Sequence, residues 1–407
     1  MGRSGLLRRV LLISLALCSP DRASGQAADP FDAATLPRIQ TADLLRLGGY
    51  DDRPAFTFSS VPAGAVLSDQ EVALVDRQAN EVRVFDLRGN HVRTFGGRGD
   101  GPGEFKFLSA LQPLPDHHLA AWDLETKRVT VFDSDGRHIR TMTIQGSPMA
   151  LGWTEFVGAF PDESVVLRSD PSVMALRNEP DGYRSESTSF VRYFHGEDRP
   201  DTLCVLQGPE KYLYHEGRSW DLEDRLFERE VVGAVVDDAL LCGTTDRLDL
   251  RRVSMSGAEG LHLAFDRPDR AIWDAEVELE RERLIKEAKE RQERRARAMA
   301  QALGASAGSG SVELDRLSKK QAYPTRPAFR SIRAGSDEAL WVEDYPSPAD
   351  SHVRWILLRG GVPVGWLETG ADETVLGFGH GLMLKRVQDE LGVQTVVVQR
   401  VTVPKPN

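Results

Sequence analysis

One stretch of this chain repeats another. Residues 63–95 align with residues 110–142 at a constant offset of 47 positions and without a gap, and 13 of the 33 aligned pairs are identical. The first members of the identical pairs are Ala63, Leu67, Asp69, Ala73, Asp76, Val82, Val84, Phe85, Asp86, Gly89, His91, Arg93 and Thr94. Self-similarity at a fixed period indicates a fold that is built from one repeated structural unit.

The repeated unit has the pattern of a small antiparallel sheet. Residues 72–75 are apolar, a polar turn follows at 76–80, and residues 82–86 alternate with the period of a strand. Gly89 marks a hairpin turn before the next strand pattern at 91–95. With one short strand in front, the unit holds four strands in about 45 residues, which is the size of a propeller blade.

Weaker copies of the unit continue to the end of the chain. The sixth copy lacks one strand, and the stretch 45–49 near the N-terminus resembles the blade end at 93–97. We therefore predict an all-β fold over residues 36–402, a six-bladed β-propeller whose last blade is closed by an N-terminal strand. The predicted units lie near residues 56–95, 105–142, 153–206, 231–265, 326–368 and 374–401, with 40–49 as the closing strand.

Two runs in the best-conserved part of the repeat carry a family resemblance. The run FGGRGDGPGEF at 95–105 and the run VFDLRGNHVRT before it resemble the NHL-type repeats of bacterial six-bladed propellers. The resemblance covers residues 63–145 and fades to strand pattern elsewhere. It implies the propeller fold, but it does not imply a function, because such folds serve many activities.

Residues 271–303 interrupt the strand pattern with a strongly charged segment. Charged residues fill 15 of the 22 positions from 276 to 297, which predicts one inserted α-helix. A flexible linker of small residues is expected to follow at 304–312. The helix is either a solvated excursion between blades or a partner-binding arm over one face. Its docking stripe is predicted to consist of Trp273, Val277, Leu284 and Ala288.

The N-terminus predicts export. Residues 1–25 have a basic start, a short apolar run and small residues at the end, as a signal peptide has. We expect a periplasmic or secreted protein, with a lipid anchor on Cys18 as a minor alternative. The net charge is −11, and it becomes −14 once a segment with four Arg and one Asp is removed. So acidic a protein is not expected to bind nucleic acid, and no later segment predicts a membrane span.

Two further cysteines belong to the expected mature chain. Cys204 and Cys242 either pair in an oxidising compartment or stay as two buried thiols. The sequence favours neither alternative.

The candidate ligand-binding residues lie at the predicted turns of the repeat. In a propeller, the turn between the second and third strands opens on the same face as the crossing to the next blade. We therefore predict that Asp76, Arg98, Asp100 and Asp123 share one face beside the channel mouth and bind a ligand there. The alternative is that each Asp caps its own turn by accepting hydrogen bonds from backbone N–H groups.

The sequence does not identify a catalytic residue, a metal ligand or a cofactor. It contains no H-E-x-x-H motif, no phosphate-binding loop and no G-x-S-x-G elbow. His91 and His138 occupy equivalent positions of the repeat, which favours a structural role over metal binding.

Two classes of function are therefore open. The first is a non-catalytic binding or scaffolding module that faces a protein, peptide or glycan, with a structural module of a larger surface assembly as a weaker, separate alternative. The second is a metal-dependent hydrolase, lactonase or lyase that works in the central channel, as the resemblance to six-bladed propellers implies.

Overall fold

The computed structural model describes residues 29–144, 154–196, 200–216, 219–303 and 311–404. The predicted signal peptide, with Cys18, lies outside the described residues, and so does most of the predicted linker at 304–312. Within the described residues, the strands form six antiparallel sheets, and two α-helices stand between the fourth and fifth. No helix in these ranges is long and apolar enough to cross a bilayer.

The strands are numbered along the chain, and β1 (Gln40–Gly48) belongs to the last sheet. Sheet 1 contains β2 (Gly64–Val66), β3 (Glu71–Asp76), β4 (Glu81–Asp86) and β5 (His91–Gly96). Sheet 2 contains β6 (Leu108–Pro113), β7 (Leu119–Asp123), β8 (Arg128–Phe132) and β9 (His138–Thr143). Sheet 3 contains β10 (Thr154–Ala159), β11 (Val165–Ser169), β12 (Gly182–Tyr193), β13 (Asp201–Glu216) and β14 (Ser219–Asp224).

The second half of the chain continues in the same way. Sheet 4 contains β15 (Val231–Val236), β16 (Ala239–Thr244), β17 (Asp249–Ser254) and β18 (Leu263–Ala264). The helices α1 (Asp274–Leu303) and α2 (Ser311–Lys319) follow. Sheet 5 contains β19 (Ser331–Ala334), β20 (Ala339–Glu343), β21 (His352–Arg359) and β22 (Val362–Gly370). Sheet 6 contains β23 (Thr374–Gly379), β24 (Leu382–Gln388), β25 (Gln394–Thr402) and β1.

The sheets are arranged around an axis. The first strands of successive sheets contact one another in the order β2, β6, β10, β15, β19 and β23, and β23 in turn contacts β2. Within each sheet the strands then pair outward from this first strand. This is the arrangement of a β-propeller.

The two best copies of the repeat fold alike down to their irregularities. In sheet 1 the pairing of β4 with β5 shifts register just before Phe85, which lies opposite His91. In sheet 2 the same shift occurs just before Phe132, which lies opposite His138. Each histidine packs edge-on against its phenylalanine and bonds a threonine three residues later. Both histidines therefore have the same local structural role.

Alternate residues of a strand point to opposite sides of its sheet. Apolar residues occupy both sets of positions, so each sheet is apolar on both faces. In β3, Val72 and Leu74 pack towards sheet 6, whereas Ala73 and Val75 pack towards sheet 2. Similar clusters fill the spaces between the other neighbouring sheets. A single sheet of this kind buries both of its apolar faces only when it packs between two neighbouring sheets.

The chain ends meet in sheet 6. Strand β1 pairs antiparallel with β25 over its whole length, with Leu47 opposite Val396. Leu47 is fully buried in the cluster between sheets 6 and 1.

Three predicted boundaries differ from the structure. The unit predicted at 153–206 continues to residue 224, because β13 is long enough to pair first with β12 and then with a fifth strand, β14. The inserted helix begins at Asp274 rather than at 271. A single inserted helix was predicted, yet α2 begins at Ser311, inside the predicted linker. The small residues before this segment predict a linker, whereas the segment itself is a short amphipathic helix that packs on β13 and β14.

The two cysteines are paired. Cys204 in β13 and Cys242 in β16 form a disulfide, so the bond joins sheet 3 to sheet 4. The sequence left this question open, because the two strands are brought together only by the packing of neighbouring sheets.

We expect Leu47→Ala to lower the free energy of unfolding by about 2–5 kcal/mol, because it leaves a cavity in a buried cluster at the meeting point of the chain ends. Leu44→Ala, on the same strand but 38% exposed, is the matched control and should cost less than about 1 kcal/mol. Urea denaturation measures both. Equal losses of unfolding free energy in the two variants would show that the buried side of β1 stabilises the fold no more than its exposed side.

We expect the double variant Cys204→Ala, Cys242→Ala to unfold with a free energy about 2–4 kcal/mol lower, since the disulfide closes a loop of 38 residues. A reductant should shift the urea midpoint of the native chain and leave that of the double variant unchanged. A native midpoint that is insensitive to reduction would show that the bond does not form.

Candidate functional site

A channel runs along the axis between the six first strands. Its volume is about 1000 Å³, and residues of β2, β6, β10, β15, β19 and β23 all line it. Each first strand pairs with only one other strand, on the side away from the axis. Backbone N–H and C=O groups on its free edge therefore face the channel, where water or a ligand satisfies them.

The two ends of the channel differ because neighbouring strands run in opposite directions. We call the end with the crossings between sheets, such as 97–107 and 265–330, the crossing face. It also carries the turns between second and third strands, such as 77–80. The opposite end, with hairpin turns such as 67–70 and 237–238, is the hairpin face.

Asp76, the first predicted site residue, lies at the crossing face but is only 4% exposed. Its carboxylate accepts hydrogen bonds from the Ser59 hydroxyl at 2.8 Å and from the Gln78 backbone N–H at 3.2 Å. It also forms an ion pair with Arg83 at 2.8 Å. These contacts tie the turn to the preceding crossing, which is a structural use of the carboxylate.

Asp123 occupies the equivalent place in sheet 2 and is 1% exposed. Its two oxygens accept hydrogen bonds from four backbone N–H groups, and they lie at 2.7–3.3 Å. Two of these groups belong to its own turn, at Glu125 and Thr126, and two to the crossing, at Lys106 and Phe107. Asp123 therefore caps its turn and fixes the crossing beside it.

Arg98 and Asp100 lie on the crossing itself and are more open. Arg98 donates a hydrogen bond to the Gln78 carbonyl at 3.1 Å. The Asp100 carboxylate is 72% exposed and lies 2.7 Å from the Lys106 ammonium. The structure brings Asp76, Asp123 and this crossing to one face, but a shared ligand-binding role for the four residues stays a prediction.

Sequence reasoning missed a set of cations that have no carboxylate partner within the part of the chain that the structure describes. Arg77, directly after Asp76, lines the channel and rests on the ring of Phe107 at 4.4 Å. Its Nε atom is buried without a hydrogen-bond partner. Burial, and then repulsion from Arg386, lowers the pKa of Arg77. Part of this guanidinium is therefore withdrawn from water without a carboxylate to compensate it, which is costly.

Arg386, at the end of β24, belongs to the same end of the channel. It donates hydrogen bonds to the Val61 carbonyl at 2.8 Å and to the Thr374 hydroxyl at 3.1 Å. Both acceptors are neutral, and burial lowers its pKa. Arg77 and Arg386 therefore place two positive charges near each other without an acidic partner among the described residues.

Arg333 on β19 is the third unpaired guanidinium of the channel. Its side chain is accessible to the channel water, and it forms no hydrogen bond or ion pair with any described residue. Desolvation by the surrounding strands lowers its pKa, and the more distant charges of Glu343 and Glu155 oppose this only in part. Lys127 of sheet 2 is a further cation: its ammonium donates to the Thr154 hydroxyl of the channel lining at 2.6 Å, and burial lowers its pKa.

The opposite side of the mouth carries acidic groups that are paired. Arg168 lies 3.4 Å from Glu230 and 3.5 Å from Glu155, and both carboxylates line the channel. Burial raises the pKa of Glu230, and Lys211 and Arg168 counteract this rise. Among the described residues, the channel lining therefore carries Arg77 and Arg333 without an acidic partner, and Arg168 paired with Glu155 and Glu230.

One group of carboxylates in the described part of the chain has the spacing of a metal site. Oxygen atoms of Asp224, Glu228 and Glu230 all lie within 4.8 Å of one another. The Lys211 ammonium is 2.9 Å from Asp224. This ammonium supplies positive charge where a metal ion would, so the group is a compensated charge cluster.

Helix α1 belongs to the crossing from sheet 4 to sheet 5, on the crossing face. Its Glu276 is bonded to Arg326 and to the Ser347 hydroxyl, which fixes its first turn to sheet 5. Burial, followed by the charges of Glu280 on α1 and of Glu228, raises the pKa of Tyr345. The first turns of α1 therefore lie beside the turn of sheet 5 that holds Tyr345 and Ser347.

The predicted docking stripe of α1 is confirmed in part. Ala288 is fully buried, and Val277 and Leu284 are partly buried. Trp273 is 71% exposed and lies before the helix, where its backbone N–H is capped by Glu276. The expectation for Trp273 was wrong, because the helix begins one residue later and the side chain has no surface to cover.

No family model matches the chain, and no curated protein matches it either. Similar solved structures include a Bacteroides fragilis protein that is inferred to be exported, at 11% identity and a TM-score of 0.45, covering 93% of this chain and 98% of that one. Virginiamycin B lyase from Staphylococcus aureus has 10% identity and a TM-score of 0.40, covering 90% and 99%. Regucalcin, a calcium-binding protein from Agrobacterium tumefaciens, has 9% identity and a TM-score of 0.38, covering 90% and 96%. Similarity at this level assigns no activity to this chain.

We expect Asp123→Ala to lower the free energy of unfolding by about 1–3 kcal/mol, because four backbone N–H groups lose their acceptor. The exposed Asp100→Ala is the control and should cost less than about 1 kcal/mol. Thermal or urea unfolding measures the difference. If both variants are equally stable, Asp123 does not have the structural role described here.

Proposed function

We propose that this protein is an exported, non-catalytic binding module. In this proposal the six sheets are the six blades of one closed propeller, latched by the pairing of β1 with β25. Its axial channel receives part of a protein, peptide or glycan through the crossing face. Helix α1 acts there as an arm that contacts the same partner.

The channel is the observation that carries the proposal. Its volume of about 1000 Å³ lies at the upper end of the range typical of ligand sites, and residues of all six sheets line it. The free edges of the first strands offer backbone donors and acceptors along its length. The rigid packing of the sheets holds these groups in place before a ligand binds, which lowers the entropic cost of binding.

The surroundings of the mouth support entry from the crossing face. The long hairpin of β12, β13 and β14 extends on this side, and α2 packs on it through Arg316, which lies over the ring of Tyr214 at 4.0 Å. Helix α1 stands beside them. Together they add a wall to one side of the mouth, where a partner can make contacts beyond the channel.

The alternative of a metal-dependent hydrolase, lactonase or lyase stays a prediction. The carboxylates that come closest to a metal site already have Lys211 as a neighbour. No specific observation favours this alternative over binding.

We expect Ser109→Trp to abolish ligand binding, because it adds a large side chain to the channel lining. Ser256→Trp, at an exposed turn of sheet 4, is the matched control and should bind like the native chain. Retention on peptide and glycan arrays measures binding, and circular dichroism checks the fold. Unchanged retention by a folded Ser109→Trp variant would sink the proposal, and turnover with a stoichiometric metal would favour the enzyme.

A further inference from the structure

We propose that Arg77, Arg333 and Arg386 form an oxyanion site in the channel, and that this site takes the carboxylates of an acidic peptide segment. The inference rests on the proposed function, because it assigns a ligand chemistry to the same channel. It starts from the three guanidinium groups, which none of the motifs of the sequence singles out.

The first argument is the lack of compensation. Most arginines of the described residues with little exposure have an acidic partner: Arg267, for example, pairs with Asp29 at 2.9 Å and with Asp344 at 3.1 Å. Arg354, which does not line the channel, is an exception. Arg77 and Arg333 have no such partner among the described residues, and Arg386 donates only to neutral oxygens. A protein of net charge −11 has enough carboxylates to pair them. Cations that line a channel without an acidic partner favour a function outside the folded chain itself.

The second argument is position. Arg77, Arg386 and Arg333 come from sheets 1, 6 and 5, which are consecutive around the axis. Arg77 and Arg333 line the channel, and the charge of Arg386 is close enough to Arg77 to lower its pKa. Guanidinium groups on one arc of a channel wall suit planar carboxylates, which they bind with paired hydrogen bonds.

The third argument selects a peptide over an acidic glycan. The ring of Phe107 at this mouth is covered by Arg77 and offers no free face on which a sugar could stack. The free edges of six strands offer both donors and acceptors, as a peptide backbone requires. Glu155 in the channel lining adds a negative charge, which suits a peptide that carries basic as well as acidic side chains.

Binding of a capped hexaglutamate peptide to the mature protein tests the site by calorimetry. We expect Arg77→Gln and Arg333→Gln each to weaken binding by about tenfold or more, because each removes a charge-assisted contact. A capped hexaglutamine peptide should not bind, and added salt should weaken the hexaglutamate complex. Arg137→Gln is the matched control, since this arginine is exposed and lies in a hairpin-face turn.

A fold measurement separates a binding role from a structural one. Arg77 and Arg386 repel each other, so Arg77→Gln should leave the melting temperature unchanged or raise it, whereas a structural arginine would lower it. Equal affinity of the Arg77→Gln, Arg333→Gln and native proteins overturns the site. Tighter binding of hexagalacturonate than of hexaglutamate overturns the choice of a peptide. If the protein binds a neutral ligand, and Ser109→Trp loses this binding while the arginine variants keep it, the oxyanion site is wrong and the proposed function still holds.

Discussion

Every sheet in this protein is apolar on both faces, and this constraint determines the rest of the structure. Residues of β3 alternate between the cluster shared with sheet 6 and the cluster shared with sheet 2. Such a sheet exposes apolar surface to water unless it has a neighbour on each side. An open row of sheets would leave two faces uncovered, whereas contacts between β23 and β2 bring the last sheet to the first. The pairing of β1 with β25 joins the chain ends at the same place.

The arrangement around an axis also creates the channel. The first strands face the axis with edges that pair with no other strand, so they cannot fill the space between them. Residues that are distant in sequence therefore become neighbours around one opening, as Glu155, Arg168 and Glu230 do. The charges at this opening differ in whether they have a partner of opposite sign. On one side acids and bases are paired, whereas Arg77 and Arg333 line the channel without an acidic partner among the described residues. A fold selected for stability alone has no reason to keep such charges.

The acidic residues of the repeat show why a recurring residue is not by itself a binding residue. Asp76 and Asp123 recur at the offset of 47 because each sheet needs its turn fixed to the neighbouring crossing. Asn80 and Lys127 also occupy equivalent places, with φ of 55° and 53°. There the backbone conformation recurs but the side chain differs, since Asn80 bonds the crossing and Lys127 reaches Thr154. Aligned positions at which the two copies of the repeat differ therefore indicate a site better than positions at which they are identical.

The sequence by itself determined the strand periodicity, the repeated unit, the place of the long charged helix and the equivalence of His91 with His138. These features depend on residues near one another in the chain, or on a pattern copied at a constant distance. Only the tertiary structure decided that Cys204 meets Cys242, that β13 continues into a fifth strand, that α2 exists, and that Arg77 and Arg333 line one channel. These contacts join different sheets, and their geometry depends on how the sheets pack around the axis, which no local pattern encodes.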